Sequence, residues 1–469
     1  MPNTGYQTQF NYRLNDGSFG TFQDSKSSIW LTASVVKAFA LARKYIYVTE
    51  SGLQQSVNWL VKQQLSDGCF PIIGSLVHKD MKSETDDSLT TVFVLISLLE
   101  SKLEVPTATI KNAMNCIERS KLNYYNILYT KIMTTYALTL MEHPLAKAAV
   151  QEMLRVAKNE NDVMWWEDPE RKSLSSSIEM TSYMVLAMAQ LGGQNMKDAL
   201  MAVRWLTRHK NSLGGFVSTH DSALASQAIT AYAVFGGRPT TQLSVLVITD
   251  DLDRPCKLDE ETSLIPEYVD LPKTPSSVDV SVHGDGCAVA QVNVKYSILP
   301  RPSQSFDLSV TVNPIVPDKC DILELQACTR YKGSDGYTNM AILEVSMLTG
   351  YVPVRDSLDQ LLTSRKIQKY EIKENKLHLY FEKLIKEVTC VSLKIRKQIE
   401  VYNFKPSNVK VYDYYRPELN AMATYTINRG CNNTELLDKY VKLSIYMLVE
   451  DILGTVATYN GKIKDSERT

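Results

Sequence analysis

Three short phrases set the reading of this chain: Asp16-Gly17-Ser18-Phe19, Asp67-Gly68-Cys69-Phe70 and Leu213-Gly214-Gly215-Phe216. Each joins a glycine, which permits a tight turn, to an aromatic side chain that can pack between neighbouring elements. Each then leads into an apolar helix through Thr32, Thr90 or Ser222 and its neighbours. Apolar residues recur at i, i+3, i+4 and i+7 from Ile29 to Arg43, Ser88 to Leu103, Asn123 to Met141, Leu145 to Ala157, Glu179 to Leu191 and Ser222 to Val234, which predicts helices there. Repeated units of this length imply stacked helical hairpins, here closing into an α/α ring that ends near Gly237.

From about Arg238 the period changes from helical to two. Val278, Val280 and Val282 alternate with polar residues, as do Val292, Val294 and Tyr296, and then Phe306, Leu308, Val310 and Val312. With short turns at Gly284-Asp285-Gly286 and Gly333-Ser334-Asp335-Gly336, this predicts antiparallel β-sandwich modules. Ile298-Leu299-Pro300-Arg301-Pro302 reads as a linker between two of them. A short helix is expected from Arg355 to Ser364, and strands at Lys376 to Phe381, Val391 to Lys397 and Val409 to Tyr415. The stretch from Glu435 to Gly454 reads as an amphipathic helix of a packing or divergent tail.

The 469 residues fit two to four domains. A formal charge of −1, from 51 basic and 52 acidic residues, gives no basic excess for nucleic acid or an acidic membrane. No run of about 18 apolar residues suits a transmembrane helix, and Met1-Pro2-Asn3-Thr4-Gly5-Tyr6-Gln7 shows no signal-peptide pattern. Eight cysteines (Cys69, Cys116, Cys256, Cys287, Cys320, Cys328, Cys390 and Cys431) are compatible with disulfides or with buried thiols. None forms C-x-x-C, and no H-E-x-x-H occurs, so no metal site and no cofactor are expected.

A glycine-aromatic repeat on an α/α ring is shared with terpenoid cyclases and protein prenyltransferases, whose chemistry needs clustered carboxylates. The nearest candidates are Glu84-Thr85-Asp86-Asp87, which reads as the cap of the helix starting near Ser88, and Asp250-Asp251-Leu252-Asp253, which lies in the β region. There is no G-x-S-x-G, phosphate loop or G-x-G-x-x-G, so the chain does not read as an enzyme. Among six histidines, His143, His209, His220, His283 and His378 read as surface residues. His78 stands apart, in the loop Gly74-Ser75-Leu76-Val77-His78-Lys79-Asp80-Met81, although a lone loop histidine lacks a base or a nucleophile as partner.

Several segments together resemble the C-terminal third of the alpha-2-macroglobulin family, with its ovostatin-like branch the nearest. The phrases Asp67-Gly68-Cys69-Phe70 with Gly74-Ser75-Leu76, Glu179-Met180-Thr181-Ser182-Tyr183, and Gly214-Gly215-Phe216-Val217-Ser218-Thr219 are similar to its thioester-domain ring. Lys295-Tyr296-Ser297-Ile298-Leu299-Pro300 resembles the end of its CUB domain. Asn339-Met340-Ala341-Ile342, Tyr351-Val352-Pro353 and Val409-Lys410-Val411-Tyr412-Asp413-Tyr414-Tyr415 resemble its receptor-binding domain. The resemblance implies four parts: a thioester-domain-like toroid over 1–237, the second half of a CUB-like β domain over 238–300, a receptor-binding-like sandwich over 301–431, and a divergent tail over 432–469.

Family members are secreted protease traps, so the resemblance implies an extracellular endopeptidase inhibitor whose partners are proteases and a lipoprotein-receptor-type clearance receptor. Their reactive element is a Cys-Gly-Glu-Gln thioester, which the ring must shield from water until release. That motif does not occur in these residues and would lie just before Asn3. By the same resemblance His78 would receive the acyl group if a thioester were supplied upstream. Cys69 would pair with Cys116 and Cys320 with Cys431, while Cys287 would stay free, and Cys256, Cys328 and Cys390 have no assigned partner. Two disulfides imply an oxidising compartment. Arg355 and Asp359 would fall on the two receptor-contact lysine positions, where Asp359 reverses the charge and is expected to weaken receptor binding. Asn432-Asn433-Thr434 would be a glycosylation site. Two other readings are a non-inhibitory secreted binding module and a prenyltransferase- or cyclase-like enzyme.

Overall fold

The computed structural model describes residues 2–22, 25–74, 87–120, 128–168, 173–211, 214–235, 242–262, 265, 267–271, 275–286, 288, 290–294, 303–316, 319–401 and 405–427. They belong to two compact units, 1–298 and 299–469, each with its own apolar core.

In the first unit, α1 (Pro2–Gln9) precedes a series of alternating inner and outer helices. The inner ones are α2 (Ile29–Ala42), α4 (Ser88–Ser101), α6 (Leu128–Leu140), α8 (Leu174–Leu191) and α10 (Thr219–Phe235). The outer ones are α3 (Glu50–Lys62), α5 (Thr107–Ser120), α7 (Ala146–Arg155) and α9 (Asn195–Arg208). Inner helices pack on one another in chain order, and each of the first four packs on the outer helix that follows it. Trp30 of α2 against His220 of α10 brings the two ends of the inner series together, closing the α/α toroid.

Sequence explains which helix goes inside. Every residue from Ser88 to Leu98 in α4 and from Ser175 to Ala189 in α8 is buried, whereas α3 buries only a stripe of Leu53, Ser56, Val57, Trp59 and Leu60. Helix α8 also starts earlier than its apolar period suggests, because Ser173 caps it through Ser176 N–H and the serines that follow are absorbed into the interior.

A short hairpin of β1 (Lys158–Glu160) and β2 (Val163–Trp165) delivers Trp166 to the ring core. After α10 come β3 (Gln242–Thr249), β4 (Leu252–Leu258) and β5 (Asp279–Asp285), an antiparallel sheet in the order β4-β3-β5. Two expectations change here. Val292 and Val294 lie in no strand and are exposed, at 57% and 63%. Gly284 sits inside β5, paired with Leu243 of β3, not in a turn, and a Cβ there would overlap the Gln242 carbonyl oxygen, so the strand pairing itself calls for glycine.

The second unit is a two-sheet β-sandwich. One sheet has β6 (Phe306–Val316), β7 (Lys319–Tyr331), β12 (Thr389–Lys397) and β9 (Tyr351–Pro353), in the order β6-β7-β12-β9. The other has β10 (Lys369–Lys373), β11 (Lys376–Phe381), β8 (Ala341–Ser346), β13 (Ser407–Asp413) and β14 (Asn420–Tyr425), in the order β10-β11-β8-β13-β14. Leu325, Leu393 and Ile395 from the first sheet meet Leu343, Val345, Leu377 and Val411 from the second in one core. Helix α11 (Arg355–Thr363) adds Leu358 and Leu361 to that core.

Candidate functional site

The repeated glycine-aromatic phrase builds the same hydrogen-bonded device at each hairpin. Gly17, Gly68 and Gly214 all have φ between +79° and +90°, and their N–H groups donate to the carbonyls of Leu14, Leu65 and Asn211. The aromatic residue then points its N–H into the next inner helix. Phe19 donates to Thr32 Oγ1 (3.0 Å), Phe70 to Thr91 Oγ1 (2.9 Å) and Phe216 to Ser222 Oγ (2.8 Å). Each hydroxyl in turn donates to the carbonyl four residues earlier, at Ser28, Asp87 and Ser218. The hydroxyl thus satisfies a buried N–H while keeping a partner for its own proton. In the second copy of the repeat the receiving residue is Thr91, one place after Thr90. A fourth copy, Trp166 N–H to Thr181 Oγ1 (3.3 Å), has no glycine turn and so escaped the sequence pattern.

These relays fix the inner helices so that a polar cluster lines the axis of the ring. Tyr136 Oη donates to Glu100 Oε1 (2.5 Å), Gln227 Nε2 donates to the same oxygen (3.1 Å), and Lys37 Nζ lies 3.3 Å from Glu100 Oε2. Lys37 also stands over the Tyr183 ring, 5.4 Å from its centroid. Nearer the starts of the helices, Glu179 of α8 accepts the Tyr129 hydroxyl proton of α6 and lies 3.7 Å from His220 Nε2 of α10. Asp221 accepts from Ser175 Oγ (2.9 Å) and from Ser218 N–H (3.1 Å), while its own N–H donates to Ser218 Oγ, a reciprocal cap on α10. Asp221 and Glu179 are both fully buried. Burial raises the Asp221 carboxyl above its ordinary range, against opposing hydrogen bonds from Ser175, Glu179 and Ser218. Burial first, and then the Glu179 charge, raise the Tyr129 phenol.

Several expected residues stand elsewhere. His220 is not a surface residue: its side chain is 21% exposed, between Trp30 and Glu179. His209 stacks on Trp205 at 4.0 Å, and His378, at 16%, faces Glu344, so neither of these is open surface. His78, Cys287, Cys431, Asn432 and 435–454 lie outside the described residues, as do 84–86 and the 298–302 linker. Asp87 is the N-cap of α4, where its carbonyl accepts from Thr91 and no side-chain capping bond forms. Asp250 accepts from Ser276 N–H (3.1 Å) and Oγ (2.6 Å), which tethers the strand entering β5. Among the described residues no group of histidine, cysteine, aspartate and glutamate is placed to hold a metal. None of the described helices is long and apolar enough to cross a membrane.

Cys69 is bonded to Cys116, tying the second glycine turn to α5, with Cα atoms 5.2 Å apart. Cys320 is also in a disulfide. Cys328 and Cys390, which sequence left unassigned, are bonded directly across β7 and β12. That pairing follows from strand register, which the spacing of cysteines along the chain does not contain. On α11, Arg355 and Asp359 are both exposed, and Tyr370 Oη of β10 donates to Asp359 Oδ1 (2.8 Å).

Comparison with known proteins matches residues 2–232 to the family described as A-macroglobulin TED domain, and residues 336–426 to the A-macroglobulin receptor binding domain. Chicken (Gallus gallus) ovostatin is 32% identical over 444 residues, covering 90% of this chain. This chain belongs to the alpha-2-macroglobulin family. It spans about 30% of the length of that relative. The macroglobulin assignment gives the glycine-aromatic ring and the sandwich with its short helix their places as successive domains, in the order that the sequence resemblance had them.

Proposed function

We propose that this chain supplies the ring and the receptor-type sandwich of a secreted macroglobulin protease trap, and that it has no catalytic role. The observation that supports this reading is the succession of the two domain matches on one chain, with similarity to ovostatin running through 90% of it. In this reading 1–237 is the thioester-type toroid, 238–300 is the second half of a CUB-like domain, 301–431 is the receptor-binding domain, and 432–469 is a divergent tail. Proteases are the targets, and His78 steers the acyl group where a Cys-Gly-Glu-Gln sequence is present.

A trap shields its protease from large substrates while small ones still reach it. The full chain, mixed with trypsin, is expected to leave cleavage of both a chromogenic peptide and a large protein substrate unchanged. Selective loss of large-substrate cleavage would show that the chain is itself a complete trap and overturn its assignment as a part of one. Receptor contact is tested separately on α11. Asp359→Lys is expected to raise affinity for lipoprotein-receptor repeats at least several-fold, since it replaces a tethered carboxylate by a cation. An unchanged affinity would reject the assignment of Asp359 to that surface.

A further inference from the structure

Cys69–Cys116 and Cys328–Cys390 are both disulfides, but they stand in opposite surroundings. Cys69 is half-buried, whereas Cys116 is fully buried, with its Sγ 3.7 Å from Thr91 Oγ1 inside the ring. Cys328 and Cys390 face each other across β7 and β12, and both are half-buried on the outer side of their sheet. Strand alternation settles that side, because Ala327 and Val391 next to them belong to the sandwich core. Their neighbours on it are small or polar. Ser309 lies across from Cys328 on β6, and Gln326 and Ser392, one step along the strands, bond to each other at 3.3 Å. Ser309 and Gln326 are exposed. Nor does the sheet depend on the bond, since β7 and β12 pair continuously from Thr329 opposite Thr389 to Ile322 opposite Arg396.

We propose that Cys328–Cys390 is a thiol-exchange site, opened by a reducing dithiol while the sandwich stays folded. One thiolate of the dithiol attacks either sulfur, the S–S bond breaks, and the other cysteine leaves as a thiolate that takes a proton from solvent. The second thiol of the reductant then displaces the first cysteine. Two electrons and two protons thus pass to the protein, and the reductant becomes a disulfide. Either leaving thiolate forms within reach of water, which favours the step. At Cys69–Cys116, attack on the accessible Cys69 must expel Cys116 as a charged thiolate inside the ring, where burial disfavours charge and slows reduction. Opening the outer bond acts mostly on the unfolded chain, which it cross-links over 62 positions. The reduced sandwich therefore keeps its strands but unfolds more readily.

Stepwise reduction of the full chain with dithiothreitol tests this. Free thiols are first capped with a light maleimide, samples are acid-quenched over time, and newly released thiols are capped with a heavy maleimide and mapped by mass spectrometry. Heavy label is expected on Cys328 and Cys390 about tenfold sooner than on Cys69 and Cys116. At that stage the amides of β7 and β12 are expected to keep their hydrogen-exchange protection, and the urea midpoint of the sandwich to fall while that of the ring holds. Simultaneous or later labelling of Cys328 and Cys390, or loss of protection in β7 and β12 on their release, would overturn the proposal. Cys328→Ser with Cys390→Ser is expected to remove the early phase and leave reduction of Cys69–Cys116 unchanged. Should that variant not fold, the labelling order in the unmodified chain decides.

Discussion

Asp413 shows how much one carboxylate can organise. It is fully buried at the end of β13, yet it accepts from Asn339 N–H and Nδ2, from Tyr415 N–H and from Arg416 N–H, all at 2.9–3.1 Å. The side chain thus replaces strand partners that the backbone has lost where the chain turns out of the sheet. Asp413→Asn puts an amide donor where donors already point, and is expected to lower the stability of the sandwich by about 3 kcal/mol in urea unfolding. Glu371 offers a pH test. Burial raises its carboxyl, but Lys369, Lys373 and Tyr380 more than offset that and hold it down to about 2. A depressed carboxyl stabilises the fold above its ordinary value and loses that contribution as pH falls from 4.5 to about 2. The urea midpoint of the sandwich should therefore decline through that window, and Glu371→Gln should flatten the decline. At this scale the sequence was only partly readable. Glu179 and Asp413 stood inside quoted phrases, but nothing along the chain says that His220 faces Glu179, because 41 positions separate them and only ring closure joins them.

At the scale of elements, the repeat was the most readable feature, because each copy is local: turn, aromatic and helix start lie within about one hairpin of sequence. The inner helices were legible for the same reason, since burial on all sides leaves long apolar runs. Helices α3, α5 and α9 were missed because each places only a narrow apolar stripe among polar residues. The glycine turn itself can be tested. Gly68 has φ +89°, and an added Cβ would overlap the Asn112 carbonyl of α5, so Gly68→Ala should cost the ring about 3 kcal/mol. The neighbouring disulfide joins that turn to α5 across 47 residues. Replacing both Cys69 and Cys116 by alanine should lower ring stability by about 2–4 kcal/mol, seen as a calorimetric transition that moves down while the sandwich transition stays.

For the molecule as a whole, the sheet of β3, β4 and β5 is the unfinished part among the described residues. Val245 and Val247 of β3 lie across from Val282 and Val280 of β5 on one face, and those two β5 valines are 49% and 40% exposed. Nearby Ile265 and Tyr268 are exposed as well, at 64% and 83%. An apolar face beside two open strand edges favours association between copies. Sedimentation of the full chain should show concentration-dependent self-association, and Val280→Thr with Val282→Thr should reduce it. A monodisperse chain at all concentrations would count against the half-domain assigned to 238–300.

Cys256 gives that face a gauge of its own. It lies opposite Val245 on β4, on the same side as the valines, and it is the free cysteine among the described residues. Burial, and then the Glu267 charge, raise its thiol, so the thiolate that alkylating reagents need is scarce and the reaction is slow enough to time. Its alkylation rate therefore becomes a clock for coverage: whatever seats itself on the valines must slow that clock, and whatever leaves them must let it run.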